Sequence, residues 1–96
     1  MTKIEILNLL NKEKTFLKEK FKVKKIGLFG SYAKEIENQK SDIDIYVEFY
    51  EKNFDNISGL WVYLENKLNK KVDLYYPNKF SNGFILNKIK KEVLYG

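Results

Sequence analysis

Two aspartates stand two residues apart in the segment with the clearest strand pattern of the chain. The run from Asp42 to Phe49 alternates polar and apolar residues, which predicts a β-strand whose side chains point alternately to two faces. Asp42 and Asp44 would then share a face, with Cα atoms roughly 6–7 Å apart at about 3.3 Å rise per residue. Two carboxylates in this arrangement can converge on one Mg²⁺ ion or bridge two. Glu48 lies further along the same face, where we expect it to be solvated.

A third carboxylate, Asp73, falls inside the apolar run from Val72 to Tyr76, which predicts another strand closed by Pro77 and Asn78. If this strand neighbours the first, three carboxylates meet at one point. Clustered anions repel each other strongly unless a cation lies between them. The sequence therefore predicts a metal site formed by Asp42, Asp44 and Asp73.

A glycine and a serine follow the predicted strand from Lys24 to Phe29 and precede a short predicted helix over residues 32–36. Glycine allows the backbone to approach a phosphate closely, and a helix N-terminus offers free N–H groups. Gly30 and Ser31 are therefore candidate phosphate-binding residues. The alternative is a plain turn in which Ser31 caps the helix.

The composition removes most other chemistries. All 18 basic residues are lysines, and the chain contains no arginine, histidine or cysteine. Ser-His-Asp and Cys-His nucleophile systems, ordinary zinc sites, disulfides and thiol redox chemistry are therefore excluded within this chain. Carboxylates, hydroxyls, ammonium groups and backbone amides remain, and these suit a hard cation and a phosphate ester.

Helical patterns surround these strands. The first segment, with Thr2 as a plausible N-cap, carries an apolar stripe that is interrupted between Asn11 and Thr15, where a kink or restart is expected. A second helix is predicted over residues 56–69 and a last one from Phe84 to near Gly96. Residues 1–96 fit a single domain of the α+β class, with an α/β-like alternation and a small mixed sheet of three to four strands covered by helices.

The net charge is concentrated in one segment. Residues 1–25 hold eight lysines and three glutamates, whereas residues 26–96 hold ten lysines and ten acids, so the whole excess of +5 arises in the first segment. This segment is either a solvated helix face or a docking surface for an acidic partner or a nucleic acid. No targeting or membrane-spanning pattern is visible, and we expect a cytoplasmic protein.

The motif GLFGSYAK at residues 27–34, followed by SDIDI at residues 41–45, resembles the nucleotidyltransferase superfamily that includes DNA polymerase β. It is most similar to the minimal nucleotidyltransferases, or MNT proteins, which are antitoxin partners of HEPN-domain toxins. The resemblance extends over the leading helix, the motif strands, the strand around Asp73 and the closing helix. It implies a nucleotidyltransferase fold in one minimal domain.

The resemblance also implies an activity: transfer of AMP from ATP, with two Mg²⁺ ions, to a tyrosine hydroxyl of a partner HEPN toxin, which is thereby neutralised. By this similarity Gly30 and Ser31 hold phosphates, and Asp42 and Asp44 bind the metals. Asp73 would help to hold the catalytic metal and align or deprotonate the attacking hydroxyl. Lys34, where many relatives have arginine, either contacts phosphate or is exposed to solvent.

One departure from the family pattern concerns Glu35, because the family usually has glycine after the basic residue. Glu35 places a carboxylate near the phosphate loop and leaves open whether that loop keeps its geometry. Two alternatives follow: an antitoxin of the same fold that acts by binding alone, or a nucleic-acid-binding module that uses the basic first helix. The three aspartates argue against binding alone, since clustered anions serve no purpose there.

Overall fold

The computed structural model describes residues 1–77 and 83–96, and within these residues it contains five helices and four strands. Their bounds are α1 (Lys3–Lys12), α2 (Lys14–Phe21), β1 (Val23–Phe29), α3 (Gly30–Ala33), β2 (Ile43–Phe49), α4 (Phe54–Leu68), β3 (Val72–Tyr75), α5 (Gly83–Glu92) and β4 (Leu94–Tyr95). The predicted α+β class is confirmed. Asn78, predicted to close the third strand, lies outside the described residues.

The four strands form one mixed sheet in the order β3-β2-β1-β4. β1 pairs antiparallel with both β2 and β4, whereas β2 and β3 are parallel. The parallel pair follows from the connection, because α4 carries the chain back across the sheet before β3 begins. β2 therefore lies between two other strands, and its two faces are both covered.

Each face of the sheet is packed against helices. On one face, the buried residues of α1, α2 and α4 pack against Ile26, Leu28, Ile43 and Ile45 in the main core. On the other face, Phe29 and Tyr46 pack against residues of α5 and the segment after it. Tyr46 was predicted on the aspartate face of β2, and it is fully buried there because α5 covers that part of the face. Its hydroxyl donates to the Glu48 carboxylate at 2.7 Å. Glu48 is half-buried, whereas the sequence led us to expect a solvated side chain.

The first segment forms two helices, which confirms the predicted break. Thr2 caps α1 through a reciprocal pair of hydrogen bonds with Glu5, at 3.3 Å and 2.8 Å. Glu13 ends α1 and begins α2. The same Glu13 accepts a hydrogen bond from the Tyr63 hydroxyl at 2.9 Å, which attaches the break to α4.

Two predicted elements differ from the structure. The short helix predicted over residues 32–36 begins earlier, at Gly30, and ends at Ala33, because the backbone turns left-handed at Glu35. The last helix ends at Glu92, before the predicted limit near Gly96, and the next residues form β4 against Gly27 and Leu28. A two-residue strand has no sequence pattern of its own, and its pairing depends on β1.

Glu35 occupies the position where the family has glycine, and it keeps the backbone conformation that favours glycine. Its φ is 59°, in the left-handed region. Its carboxylate pairs with Lys3 of α1 at 2.8 Å, with the Glu35 side chain 63% exposed. This contact holds the pKa of Glu35 below its usual value, first through the Lys3 hydrogen bond and then through the Lys3 charge. The carboxylate is therefore directed to α1, and the loop turns as a glycine would allow.

Among the described helices, none is both long and apolar enough to cross a membrane.

Replacing Glu35 with glycine is expected to give a more stable protein than replacing it with alanine. Both variants lose the ion pair with Lys3, but only glycine adopts the left-handed conformation without a steric penalty. The expected difference in the free energy of unfolding is about 1 kcal/mol, measured by urea denaturation. Lys3→Ala is the control, since it removes the exposed ion pair alone and should change stability by less than about 1 kcal/mol. Equal stability of the two Glu35 variants would contradict a strained backbone at this position.

Candidate active site

Asp44 and Asp73 are direct neighbours across the parallel strands β2 and β3. The register pairs Asp44 with Asp73, between the pairs Ile43–Val72 and Ile45–Leu74. Residues paired in this way lie on adjacent strands about 4.8 Å apart and project to the same face of the sheet. Both aspartates are half-buried. The sequence placed these two residues on separate strands, and the sheet brings them together.

Asp42 lies just before β2, two residues from Asp44. Its neighbour Ile43 donates its N–H to the Lys71 carbonyl at 3.0 Å, so the β2–β3 pairing begins here. The proximity of all three carboxylates appears in the pKa of Asp44, which rises to about 6. Burial is the largest cause, followed by the charge of Asp73 and then that of Asp42. The charges of Asp73 and Asp42 therefore both reach Asp44 at one end of the sheet.

The loop that leads into Asp42 is held by its own polar groups. The Asn38 side chain accepts the Lys40 N–H at 2.8 Å, and the Ser41 hydroxyl accepts the Asn38 N–H at 3.0 Å. Such local bonds are the usual way in which asparagine and serine fix a turn. Lys70 also donates to the Gln39 carbonyl at 3.0 Å, which connects this loop to the segment before β3. The approach to Asp42 is thus fixed on both sides.

Gly30 lies against Asp44 from the opposite side, because its predecessor Phe29 pairs with Asp44 in the β1–β2 register. The backbone φ of Gly30 is +75°, a conformation that residues other than glycine rarely adopt. A Cβ atom at this position would fall on the Asp44 carboxylate, with its Cγ at 3.0 Å. The position therefore requires glycine for two reasons, and the backbone here closely approaches the aspartate face.

Ser31 follows Gly30 in the first turn of α3 and is half-buried. Lys34, at the end of this helix, extends to Glu92 of α5, with the Nζ–Oε1 distance at 3.8 Å. Its side chain is 57% exposed. The structure therefore brings Gly30 next to the aspartates, whereas the Lys34 ammonium lies near an acidic residue of another helix.

Tyr75, which the sequence analysis did not include in the site, belongs to the same face. It lies two residues after Asp73 on β3, so the two side chains project to one side. Its pKa is raised first by burial and then by the charges of Asp73, Asp44 and Asp42. Its ring meets Phe29 edge-on, with 4.9 Å between the centroids. The period-two spacing from Asp73 was the signal that could have placed Tyr75 beside the site.

The donor set suits a hard cation but does not enclose one. Within residues 1–77 and 83–96, no group of three or more His, Cys, Asp or Glu side chains is arranged to hold a metal by itself. Mg²⁺ commonly binds to one or two carboxylates and fills its other positions with water and substrate phosphates. The half-buried carboxylates of Asp44 and Asp73, beside the backbone turn at Gly30, fit that requirement.

The Asp44 carboxylate is expected to destabilise the metal-free protein at neutral pH. Its folded pKa of about 6 lies above the reference value of 3.8, so the unfolded chain ionises first as the pH rises. The contribution of this group to stability therefore declines between these two pH values and stays low above them. Asp44→Asn should raise the free energy of unfolding at about pH 7 by roughly 1–2 kcal/mol, after allowance for partial exposure.

The measurement is urea denaturation in buffer containing EDTA, at pH values on both sides of the Asp44 transition. Asp55→Asn is the matched control, because Asp55 is exposed in the first turn of α4 and should give no gain. If the Asp44→Asn variant is no more stable than the unaltered protein, the ionised carboxylate does not destabilise the metal-free fold and the prediction is wrong.

Known proteins resemble this chain over most of its length. The family model described as "Polymerase beta, Nucleotidyltransferase" matches residues 11–96. A Methanocaldococcus jannaschii protein named "Putative protein adenylyltransferase MJ0128" is 45% identical over 92 residues, which cover 95% of this chain and 94% of that protein. The Thermococcus cleftensis protein adenylyltransferase MntA is 36% identical over 96 residues, which cover 99% and 96% of the two chains.

Solved structures share the fold at lower identity. One described as a "putative minimal nucleotidyltransferase" has a TM-score of 0.81 at 22% identity and covers 98% of this chain and 95% of that one. A toxin–antitoxin structure with AMP-PNP gives a TM-score of 0.68 at 23% identity, covering 88% and 69%. The tri-AMPylated Shewanella oneidensis HEPN toxin in complex with MNT antitoxin gives 0.62 at 22% identity, covering 93% and 70%.

The family model matches most of the chain, and the two archaeal relatives are 45% and 36% identical over nearly its whole length. The chain belongs to the polymerase β nucleotidyltransferase family.

Proposed function

We propose that this chain is an antitoxin that transfers AMP from Mg-ATP to a tyrosine hydroxyl of a partner HEPN-domain toxin and thereby neutralises it. In this proposal residues 1–96 act as one minimal nucleotidyltransferase domain. The observation that carries it is the pairing of Asp44 with Asp73 beside the glycine turn at Gly30. The names of its relatives, which are protein adenylyltransferases, support AMP as the transferred group.

The phosphates of ATP would lie along the turn from Gly30 to Ser31. The missing side chain at Gly30 lets the backbone approach the phosphate oxygens, and the Ser31 hydroxyl is available as a donor. Lys34 would supply a positive charge at the outer end of this loop, provided that its ammonium leaves Glu92. The contact is long, at 3.8 Å, and the Lys34 side chain is exposed, so breaking this ion pair costs little free energy.

Asp42 and Asp44 would hold Mg²⁺ with the phosphate oxygens, and Asp73 would complete the site from β3. Bound Mg²⁺ would neutralise phosphate charge and lower the pKa of the attacking hydroxyl. The raised pKa of Asp44 fits this role, since a cation relieves the repulsion that raises it. Carboxylates kept at a cost to stability are typical of a site built for a cationic ligand.

The transfer itself forms one bond and breaks one bond. The acceptor hydroxyl oxygen would bond to the α-phosphorus of ATP, while the bond from that phosphorus to the bridging oxygen of the β-phosphate breaks and pyrophosphate leaves. In this proposal Asp73 would align the hydroxyl and accept its proton. No histidine base is needed for this chemistry, and the chain contains none.

The decisive experiment mixes the protein with ATP, Mg²⁺ and the HEPN-domain product of a neighbouring gene, and measures the intact mass of that partner. We expect a mass gain of one or more AMP units, with release of pyrophosphate. Asp42→Asn and Asp44→Asn should each reduce the rate by about 10²-fold or more, since each removes a metal ligand. Glu51→Gln is the matched control, because Glu51 is exposed beyond the far end of β2 and should leave the rate unchanged.

A partner that keeps its mass while its toxicity is still suppressed would contradict the enzyme and support an antitoxin that acts by binding alone. Strong, salt-sensitive binding of RNA by the protein, without AMP transfer, would instead support a nucleic-acid-binding module that uses the lysine-rich first segment.

A further inference from the structure

Among residues 1–77 and 83–96, the strand that carries Asp73 lies at the edge of the sheet, with β2 as its neighbour on one side. In a parallel pair, successive residues direct their backbone groups alternately toward the neighbouring strand and away from it. The Lys71 carbonyl faces β2, where it accepts the Ile43 N–H at 3.0 Å. The N–H and C=O of the next residue, Val72, therefore face outward, where an edge strand normally exposes them.

Two side chains of α4 bind both of these outward groups. Trp61 donates its indole Nε1–H to the Val72 carbonyl at 2.7 Å. The Val72 N–H donates to the Glu65 carboxylate at 3.0 Å. Trp61 and Glu65 are four residues apart, so they lie on the same face of the helix one turn apart. Together they supply the donor and the acceptor that another strand would have supplied.

The helix that carries this pair is itself firmly placed. Asn53 caps α4 by accepting the Asn56 N–H at 2.8 Å. Leu60, Leu64 and Leu68 of α4 are buried in the main core. Val72 is 1% exposed, so both bonds reach a residue that is sealed from solvent. The start of β3 is therefore fastened at its outer edge by α4 as well as at its inner edge by β2.

We infer that Trp61 and Glu65 are positioning residues, which clamp the backbone of Val72 so that Asp73 stays in register with Asp44 for binding the metal of the proposed function. Asp73 directly follows the clamped residue and pairs with Asp44 of β2. Without the clamp, the short strand of four residues could shift along β2 or separate from it at its first residue. A shift of about 1 Å in a reacting group costs up to about 10²-fold in rate, so this fastening is relevant to catalysis.

The first test measures the clamp without any catalytic assay. Hydrogen exchange of the Val72 amide and binding of Mn²⁺, followed by electron paramagnetic resonance, are compared among variants. Mn²⁺ serves as the probe because it prefers the same oxygen ligands as Mg²⁺. Glu65→Ala should speed exchange at Val72 and weaken Mn²⁺ binding about tenfold or more, as supporting contacts of metal ligands commonly do when lost.

Glu65→Gln should behave as the unaltered protein within about twofold, because its amide oxygen still accepts the Val72 N–H. Trp61→Phe keeps an aromatic ring but removes the donor, and it should reproduce the Glu65→Ala effects in weaker form. Asn66→Ala is the matched control, since Asn66 is the exposed neighbour on α4 and should change neither quantity. Urea denaturation of each variant reports whether the fold itself is altered.

The second test uses AMP transfer. At saturating Mg²⁺, Glu65→Ala should lower kcat about tenfold or more while it changes the KM for ATP less than about twofold, because in the proposed function the ATP phosphates bind at Gly30 and Ser31 and not on β3. Equal Mn²⁺ binding in Glu65→Ala and the unaltered protein would overturn the clamp, and so would a Glu65→Gln variant as impaired as Glu65→Ala. If the unaltered protein transfers no AMP, the proposed function fails, and the exchange and Mn²⁺ measurements still decide the clamp.

Discussion

The pairing of β2 with β3 in parallel register is the constraint on which the rest of the site depends. It sets Asp73 directly opposite Asp44, with their side chains on one face. Other parts of the site lie around this pair. Gly30 leaves the space that the Asp44 carboxylate occupies. The turn at Asn38 fixes the entry to Asp42, and α4 carries the chain over the sheet so that β3 can enter in parallel.

This arrangement places stability and function in opposition. The pKa of Asp44 is raised by burial and by two neighbouring carboxylates, so the charged form is unfavourable in the metal-free protein. The compensating interactions are apolar: one core beneath the helices α1, α2 and α4, and a smaller one beneath α5. A chain of this size has little stability to lose, since natural domains are stable by only about 5–15 kcal/mol. The destabilising charges lie together at one end of the sheet, and the apolar cores stabilise the rest of the fold.

Charge is distributed unequally over the same fold. The aspartates lie where β1 ends and β2 begins, whereas the exposed Lys24 and Lys25 lie at the start of β1, at the opposite end of the strand. A seven-residue strand separates these ends by roughly 20 Å at about 3.3 Å per residue. Lys24 and Lys25 are thus remote from the aspartates, whereas Lys3 of the same lysine-rich segment pairs with Glu35. Whether it is a solvated face or a docking surface stays a prediction.

The sequence by itself determined the strands, the main helices and the identity of the three aspartates, because local periodicity and spacing are sufficient to indicate them. The sequence also predicted the Thr2 helix cap and the break before α2, because both features depend on residues within one helical turn. Only the tertiary structure decided that Asp44 faces Asp73, that Tyr75 joins them and that Trp61 and Glu65 hold Val72. It also formed β4 and turned Glu35 toward Lys3. Most of these features join residues that are far apart in the chain, and the turn at Glu35 depends on a single backbone angle. Long-range contacts and single backbone angles produce no periodic pattern in the sequence.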